Sequence, residues 1–212
     1  MRPQAQRLDS HMGKIVRLRT DGSVPDDNPF RGRSDALPEI WSLGHRNVQG
    51  AALHPETGAL WTAEHGARGG DEVNVPKPGK NYGWPVISYG VDYSGAKIGE
   101  GTAKPGLEQP VYYWDPSVAP SGMAYYSGDA IPEWKGAFLV GGLVAQAVVV
   151  LHLDNDRVVA EERVPPGMAV TRAISSRRAR ISGRSALVGW LLSVKPSWLR
   201  SSIRSERTFA GM

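Results

Sequence analysis

The sequence predicts an all-β protein built from the short antiparallel hairpins that form the blades of β-propellers. The 212 residues include 25 glycines and 16 prolines, a composition that favours many tight turns. Short apolar segments recur between these turns at intervals typical of blade strands. No apolar stripe with the 3.6-residue spacing of a helix occurs before residue 164.

The predicted strands are short segments that either alternate in polarity or are continuously apolar. In chain order they are residues 13–19, 39–43, 50–53, 60–64, 71–75, 109–114, 122–126, 137–141 and 147–153. Three turn sequences lie beside them, at Thr20–Ser23, His54–Gly58 and Asp154–Asp156. Each turn contains Gly, Asn or Asp, which tolerate the positive φ of hairpin turns. Residues 66–70 form a glycine-rich loop, and residues 88–106 form a long polar loop.

The charge pattern changes near residue 164. Nine of the 25 basic residues and one of the 21 acidic residues lie in residues 165–212, which leaves the preceding part with a net charge of −4. We predict that the strand-rich part of the chain ends at residue 164 and that residues 165–212 form an irregular basic tail, such as a frameshifted gene would produce. Nucleic-acid binding by the tail is a weaker alternative, because its Arg/Ser-rich stretch has no recognition motif or interleaved aromatic residue.

Composition excludes several classes of protein and site. The chain has no cysteine, so disulfides and thiolate metal sites are excluded. No stretch approaches the roughly 20 apolar residues that a membrane helix needs. Residues 1–11 are polar and lack the apolar segment of a signal peptide.

Several motifs occur in a fixed order along residues 13–143. They are GKIVRL at 13–18, LGHRNVQG at 43–50, LHPETGALWTAEHGARGGDEVN at 53–74, GKNYGWPVISYG at 79–90, YYWDPSVAPSG at 112–122 and FLVGGL at 138–143. This series resembles the soluble aldose and glucose/sorbosone dehydrogenases that use pyrroloquinoline quinone (PQQ). That family is a six-bladed β-propeller, and the resemblance implies that residues 5–164 form a partial propeller that contains its middle blades.

The resemblance assigns a cofactor role to Arg46 and Asn47. PQQ is a planar tricarboxylate, and a guanidinium group offers a planar set of donors that suits carboxylates and quinone oxygens. The alternative is a loop arginine that pairs with a nearby acidic residue. Further cofactor contacts are implied at Tyr93, Pro116, Ser117 and Val118.

Two aromatic residues, Tyr113 and Trp114, are candidates for a sugar-facing rim, because aromatic faces suit sugar rings. Core packing is an equally good interpretation of both. Trp41, Trp61 and Trp84 are expected in the core.

The glycine-rich loop and its surroundings are a candidate calcium site. Calcium takes six to eight oxygen ligands, many of them main-chain carbonyls. The resemblance implies that Glu72 and Tyr82 bind calcium and that the carbonyls of Gly66 and Ala67 take part. The alternative is that Asp71 and Glu72 are ordinary charges at a strand edge.

Sequence alone assigns no catalytic base. The reaction requires a group that takes a proton from the sugar C1 hydroxyl, and the family uses a histidine upstream of the GHRN motif. The only histidine upstream is His11, which does not match. Of the others, His45 belongs to the motif itself, His54 to a turn, His65 to the candidate calcium loop and His152 to a strand. Val144 also departs from the family, which often has a cofactor-binding lysine there.

The resemblance implies an oxidoreductase that converts an aldose to a lactone and passes electrons to the quinone. It also implies a periplasmic location. Because the base is not found, the alternative is a non-catalytic propeller fragment or binding remnant. Such a fragment would have unpaired strand edges, which another propeller fragment or a second copy of the chain could cover.

Overall fold

The computed structural model describes residues 2–165, which form ten antiparallel β-strands. The strands are β1 (Lys14–Val16), β2 (Ile40–Leu43), β3 (Val48–Leu53), β4 (Leu60–Glu64), β5 (Asp71–Asn74), β6 (Tyr112–Trp114), β7 (Pro120–Tyr125), β8 (Phe138–Gly142), β9 (Ala147–Asp154) and β10 (Arg157–Val164). The helical segments among these residues are two short 3-10 helices, Arg2–Gln6 and Pro132–Trp134. The all-β prediction is confirmed. The predicted tail lies outside the described residues, apart from Pro165.

The strands form two four-stranded meanders and one two-stranded sheet. The first sheet has the order β3-β4-β5-β6 and the second the order β7-β8-β9-β10, so neighbours in sequence are neighbours in space. β1 pairs with β2. Connections in the second sheet are at most 12 residues long, whereas the 37-residue loop 75–111 separates β5 from β6 in the first sheet. Four-stranded meanders of this kind are the units of β-propellers.

The two large sheets pack face to face around an apolar core. Trp61 of β4 stacks on Phe138 of β8 with 4.8 Å between ring centroids, and both side chains are fully buried. β3 and β7 approach closely at Gly50, where a Cβ atom would lie 2.8 Å from the Cβ of Met123. Glycine at this position therefore allows the two main chains to meet. The remaining buried members of this core are Ala63, Val73, Trp114, Val118, Val140, Val149 and Leu151.

Two features of the strand prediction differ from the structure. The Thr20–Ser23 sequence forms a turn, but it lies inside the loop between β1 and β2 and does not join paired strands. The turn beginning at Asp154 does join a hairpin, whose second strand, β10, was not predicted. Most of β10 is exposed or only partly buried, so its sequence lacks the apolar alternation of the other strands.

No helix within residues 2–165 has the length and apolar character needed to cross a membrane.

Candidate cofactor and cation site

A small pocket lies where the loop between β2 and β3 meets the ends of β4 and β5 and the long loop 75–111. At this edge β4 ends in Glu64 and the antiparallel β5 begins with Asp71 and Glu72, and the β4–β5 register places Glu64 opposite Glu72. Loop 75–111 brings aromatic side chains to the opposite wall. The pocket is lined by Gly44, Arg46, Glu64, His65, Gly66, Gly70, Glu72, Tyr82, Trp84, Ile87 and Ser88.

Arg46 is held in this pocket by neutral groups. Its guanidinium lies 5.2 Å from the centroid of the Trp84 ring, and its Nη1 donates to the carbonyl of His65 at 3.1 Å. A longer contact of 3.4 Å joins Nη2 to the hydroxyl of Tyr93. The Nε atom is buried and has no partner among residues 2–165. The alternative interpretation, an arginine paired with an acidic residue, does not describe this contact set, in which the guanidinium charge is unpaired within residues 2–165.

A buried hydrogen-bonded pair, His45 and Glu64, lies behind Arg46. The Nδ1 of His45 donates to Glu64 at 2.9 Å, and the side chains of both residues are at most 3% exposed. Ser42 contacts the Nε2 of His45 at 2.8 Å, and the imidazole stacks on the ring of Tyr82. Burial acts to raise the pKa of Glu64, but the His45 ring and several hydrogen-bond donors outweigh it, so the pKa is lowered. Both nitrogens of His45 are therefore engaged.

Asn74 joins Glu64 to Glu72. Its side-chain Nδ2 donates to Glu64 at 2.9 Å and to Glu72 at 3.1 Å. Burial, together with the nearby negative charge of Glu64, raises the pKa of Glu72 to about 8. The Oδ1 atom of Asn74 is buried and has no partner among the described residues. This group of oxygen atoms has the character of a site for a hard cation, which would offset the charge of Glu72.

Main-chain oxygens would have to complete a cation site here. Within residues 2–165, no three His, Asp or Glu side chains are grouped so that they could hold a metal ion. The hydroxyl of Tyr82 donates to the carbonyl of Val75 at 2.6 Å and accepts the N–H of Lys77 at 3.0 Å. That hydroxyl is therefore occupied, and a contribution from Tyr82 would come from its main chain.

Asp71 fixes the glycine-rich loop to the turn after β6. Its carboxylate accepts the N–H of Gly66 at 2.8 Å and the N–H of Val118 at 2.9 Å. It also accepts the N–H of Ala119 at 2.7 Å and the hydroxyl of Ser117. This buried carboxylate is a structural group, since its oxygens are filled by protein donors.

The structure brings some of the predicted site residues together and separates others. Arg46, Gly66, Glu72 and Tyr82 line one pocket, and Tyr93 contacts Arg46. Asn47 accepts a hydrogen bond from Gln49 at 2.8 Å. The turn formed by Pro116, Ser117 and Val118 is attached to Asp71, and Ala67 is buried in the glycine-rich loop.

The two residues predicted for a sugar-facing rim differ in exposure. Tyr113 is 47% exposed and stacks on Tyr89 with 3.9 Å between ring centroids. Trp114 is 3% exposed and packs in the core between the sheets, as does Val118. Core packing, the alternative interpretation, therefore describes Trp114.

Sequence reasoning missed three residues of this site. The first is Trp84, which was expected in the core but is only partly buried and lies under Arg46. Trp41, which does not line the pocket, was also expected in the core and is only partly buried, under Arg17. Glu64 and Asn74 were not assigned a role. A signal was present in the acidic and amide side chains of EHG and DEVN at the ends of adjacent predicted strands, which an antiparallel register brings together.

Comparison with known proteins identifies the family. The model of the family described as glucose/sorbosone dehydrogenase matches residues 1–178. The chain belongs to this family. The resemblance inferred from the motifs is thereby confirmed.

Among the glucose/sorbosone dehydrogenases, aldose sugar dehydrogenase YliI of Escherichia coli K12 is 50% identical over 165 residues, which are 77% of this chain and 44% of that protein. The crystal structure of the soluble aldose sugar dehydrogenase from Escherichia coli in its apo form is 49% identical, with a TM-score of 0.75 over 77% of this chain and 48% of that one. The PQQ-bound aldose sugar dehydrogenase from Streptomyces coelicolor is 31% identical, with a TM-score of 0.60 over 77% and 42%. The chain thus spans less than half the length of these relatives.

Proposed function

We propose that this chain is part of a PQQ-dependent sugar dehydrogenase that oxidises an aldose to a lactone. The observation that carries the proposal is Arg46, a charged planar donor with a buried, unpartnered Nε, held over Trp84 beside Glu72. A relative of known structure, the aldose sugar dehydrogenase from Streptomyces coelicolor, has been obtained in its PQQ-bound form. When bound, the quinone would supply the group that accepts electrons from the sugar.

The residues of the pocket fit a planar, negatively charged cofactor. Arg46 would bind a carboxylate or quinone oxygen through its free donors, and Trp84 would keep the guanidinium plane in place. Asn47 would add an amide donor beside it. Tyr93, which is 69% exposed, would close over the guanidinium from loop 75–111.

The pocket also fits a calcium ion. Glu72 would provide a carboxylate oxygen, and the main-chain carbonyls of Gly66, Ala67 and Tyr82 would provide neutral oxygens. The unpartnered Oδ1 of Asn74 supports this assignment, because a buried oxygen without a donor is stabilised by a nearby cation. Calcium would hold Glu72 in its charged form and attract a carboxylate of the cofactor.

The two four-stranded sheets are proposed to be neighbouring blades of a six-bladed propeller. Their first strands, β3 and β7, meet at Gly50, as strands nearest a propeller axis would. In this arrangement β6 and β10 would lie at the outer rim. A further propeller fragment or a second copy of this chain would complete the ring. A periplasmic location is part of the same proposal and rests on the family resemblance alone.

No catalytic base is assigned among the described histidines. His45 is occupied by Ser42 and Glu64, and His11 contacts Glu39 at 2.6 Å in the N-terminal segment. His54 packs edge-on against Tyr125 and Phe138. His65 and His152 remain without an assigned function. We therefore propose that a complete catalytic centre requires residues from outside this chain.

The first experiment is a titration of the purified full chain with PQQ in the presence and absence of calcium, followed by absorbance and thermal unfolding. We expect saturable, calcium-dependent binding that Arg46→Ala weakens at least about tenfold, because a charged donor to a carboxylate is lost. Arg68→Ala, which changes another arginine of the neighbouring glycine-rich loop, is the matched control and should bind as the wild type does.

Adding an aldose and a dye acceptor last distinguishes the enzyme from the remnant. Binding without turnover supports a cofactor-binding chain that lacks its base. Turnover by the chain alone contradicts the proposal that the base lies elsewhere. A folded protein that binds neither PQQ nor calcium favours the alternative, in which the family motifs serve only as scaffold.

A further inference from the structure

The carboxylate of Glu64 lies directly beneath the Arg46–Asn47 segment. One of its oxygens accepts the main-chain N–H of Arg46 at 2.7 Å and, more weakly, that of Asn47 at 3.4 Å. The other oxygen accepts from His45, the residue before them, and from Asn74. Three consecutive residues of the loop therefore bind one carboxylate that belongs to a different strand.

These contacts determine the path of the loop. Residues 44–47 join β2 to β3, and the main chain there must turn sharply enough to aim Arg46 across the pocket. Charge-assisted hydrogen bonds to main-chain N–H groups are stronger than neutral ones, so the carboxylate fixes the orientation of these peptide units. A second anchor is the N–H of His45, which donates to the carbonyl of Gly13 at 3.1 Å.

The carboxylate itself is rigid. Glu64 ends β4, its side chain is 3% exposed, and four protein donors surround its two oxygens. With its acceptor positions filled, it has no capacity left for a ligand of its own. It can influence a ligand only through the residues that it holds.

We propose that Glu64 is the positioning residue of the cofactor site: its carboxylate holds the main chain of residues 45–47 so that Arg46 and Asn47 face the ligand. The proposal rests on the proposed cofactor role of those two residues. Asn74, which donates to both Glu64 and Glu72, places this loop and the candidate cation site in one hydrogen-bonded unit.

The test variant is Glu64→Gln in the full chain. Glutamine keeps the shape but replaces one accepting oxygen with an NH₂ group, which cannot accept from the donors that it faces. These are the N–H groups of Arg46 and Asn47 at one oxygen, or His45 and Asn74 at the other. Hydrogen exchange of the cofactor-free protein should accelerate at least about tenfold at residues 45–48, the factor that corresponds to a lost hydrogen bond to a charged group. Exchange in β8 and β9 should stay as in the wild type.

Cofactor binding is measured in the same variant. The Kd for PQQ should rise at least about tenfold, with the absorbance of bound PQQ also altered. Glu64→Asp keeps the charge but shortens the side chain by one methylene, which moves the carboxylate away from the N–H groups of Arg46 and Asn47. It should show the same pattern, and it serves as the second variant if Glu64→Gln does not fold. Glu161→Gln, which changes a partly buried carboxylate outside the pocket, is the control and should alter neither loop exchange nor the Kd.

The outcomes separate this inference from the proposed function. Normal loop exchange and an unchanged Kd in a folded Glu64 variant overturn the inference while the function stands. Faster exchange spread across all of β4 and β5 also overturns it, because it indicates a general structural role. A wild-type chain that does not bind PQQ overturns the function, and the exchange measurement alone then decides whether Glu64 holds the loop.

Discussion

The two large sheets of this molecule have the same strand order but different interiors. The first sheet, β3–β6, buries the polar side chains of Thr62, Glu64, Asp71 and Asn74. In the second sheet, β7–β10, the buried side chains are apolar, among them Phe138, Val140, Val149 and Leu151. Burying a polar group lowers stability unless the group finds a hydrogen-bond partner. The polar interior of the first sheet is therefore where we propose the ligand site.

The difference teaches that one meander can stabilise the fold while its neighbour holds the residues of the proposed ligand site. Acidic and amide side chains of the first sheet gather at the edge where β4 ends and β5 begins. Among the described residues, neither the Oδ1 of Asn74 nor the Nε of the neighbouring Arg46 has a hydrogen-bond partner. The second sheet contributes a flat apolar face against which the first sheet packs. Mutations in the second sheet should therefore lower stability most, whereas mutations at the polar edge of the first sheet should weaken ligand binding.

The largest effect is expected in the scaffold. Phe138→Ala removes a fully buried ring that stacks on Trp61, and such truncations lower the free energy of unfolding by about 3–5 kcal/mol. Chemical denaturation measures the loss. Leu143→Ala, at a position that is 66% exposed in the turn between β8 and β9, should change stability by less than about 0.5 kcal/mol. Equal losses in the two variants would contradict the assignment of the second sheet as scaffold.

An intermediate effect is expected from calcium on the first sheet. At a calcium concentration about 100 times its Kd, binding should stabilise the wild type by about 2.7 kcal/mol. Glu72→Gln should abolish this gain, because the amide offers no charge to the ion. Thermal unfolding with and without calcium measures it, and Glu162→Gln, in the second sheet, is the matched control. Full calcium stabilisation of Glu72→Gln would place the ion elsewhere.

The smallest effect is expected where the two sheets are joined at β6 and β10. Glu161 of β10 accepts the Tyr112 hydroxyl at 2.8 Å and the Trp114 Nε1 at 2.7 Å, and it pairs with Arg163. Replacing it by glutamine should cost about 1 kcal/mol at neutral pH, the typical contribution of a hydrogen bond. Urea denaturation of the two proteins at pH 7 measures the difference.

The same glutamate predicts a dependence on pH. Burial acts to raise the pKa of Glu161, but the hydrogen bonds from Arg163, Tyr112 and Trp114 outweigh it, so the folded-state pKa is lowered. Its stabilising contribution is therefore present above the unfolded pKa of about 4.3 and is lost as the pH falls through the lower folded pKa. Acid titration of stability should show a shallower decline in Glu161→Gln, and parallel curves for the two proteins would exclude this link between the sheets.

The sequence located most strands because their signals are local. The His54–Gly58 turn, for example, joins β3 to β4 as expected, with Gly58 at a φ of +68°. The local sequence does not determine where Trp84 and Trp114 pack, the first under Arg46 and the second in the core. A tryptophan has the same propensity in a core and under an arginine, and only the packing of loop 75–111 and of the second sheet decides between them.

The candidate site likewise contains residues that the sequence identified and residues that it did not. Arg46 and Glu72 were identified through family motifs, and both line one pocket. Their roles in binding a cofactor and calcium stay predictions. The role of Glu64 could not be predicted, because its contacts with His45 and Arg46 depend on a strand register and a loop path that the local sequence does not determine.

Loop 75–111 has a consequence for the order in which the molecule folds. The second sheet needs only short chain closures, so its hairpins can form early and quickly. In the first sheet, β6 can pair with β5 only after the long loop carrying Tyr82 and Trp84 has closed. We expect the walls of the pocket to be completed last, which makes the site the region most exposed to slow or incomplete folding.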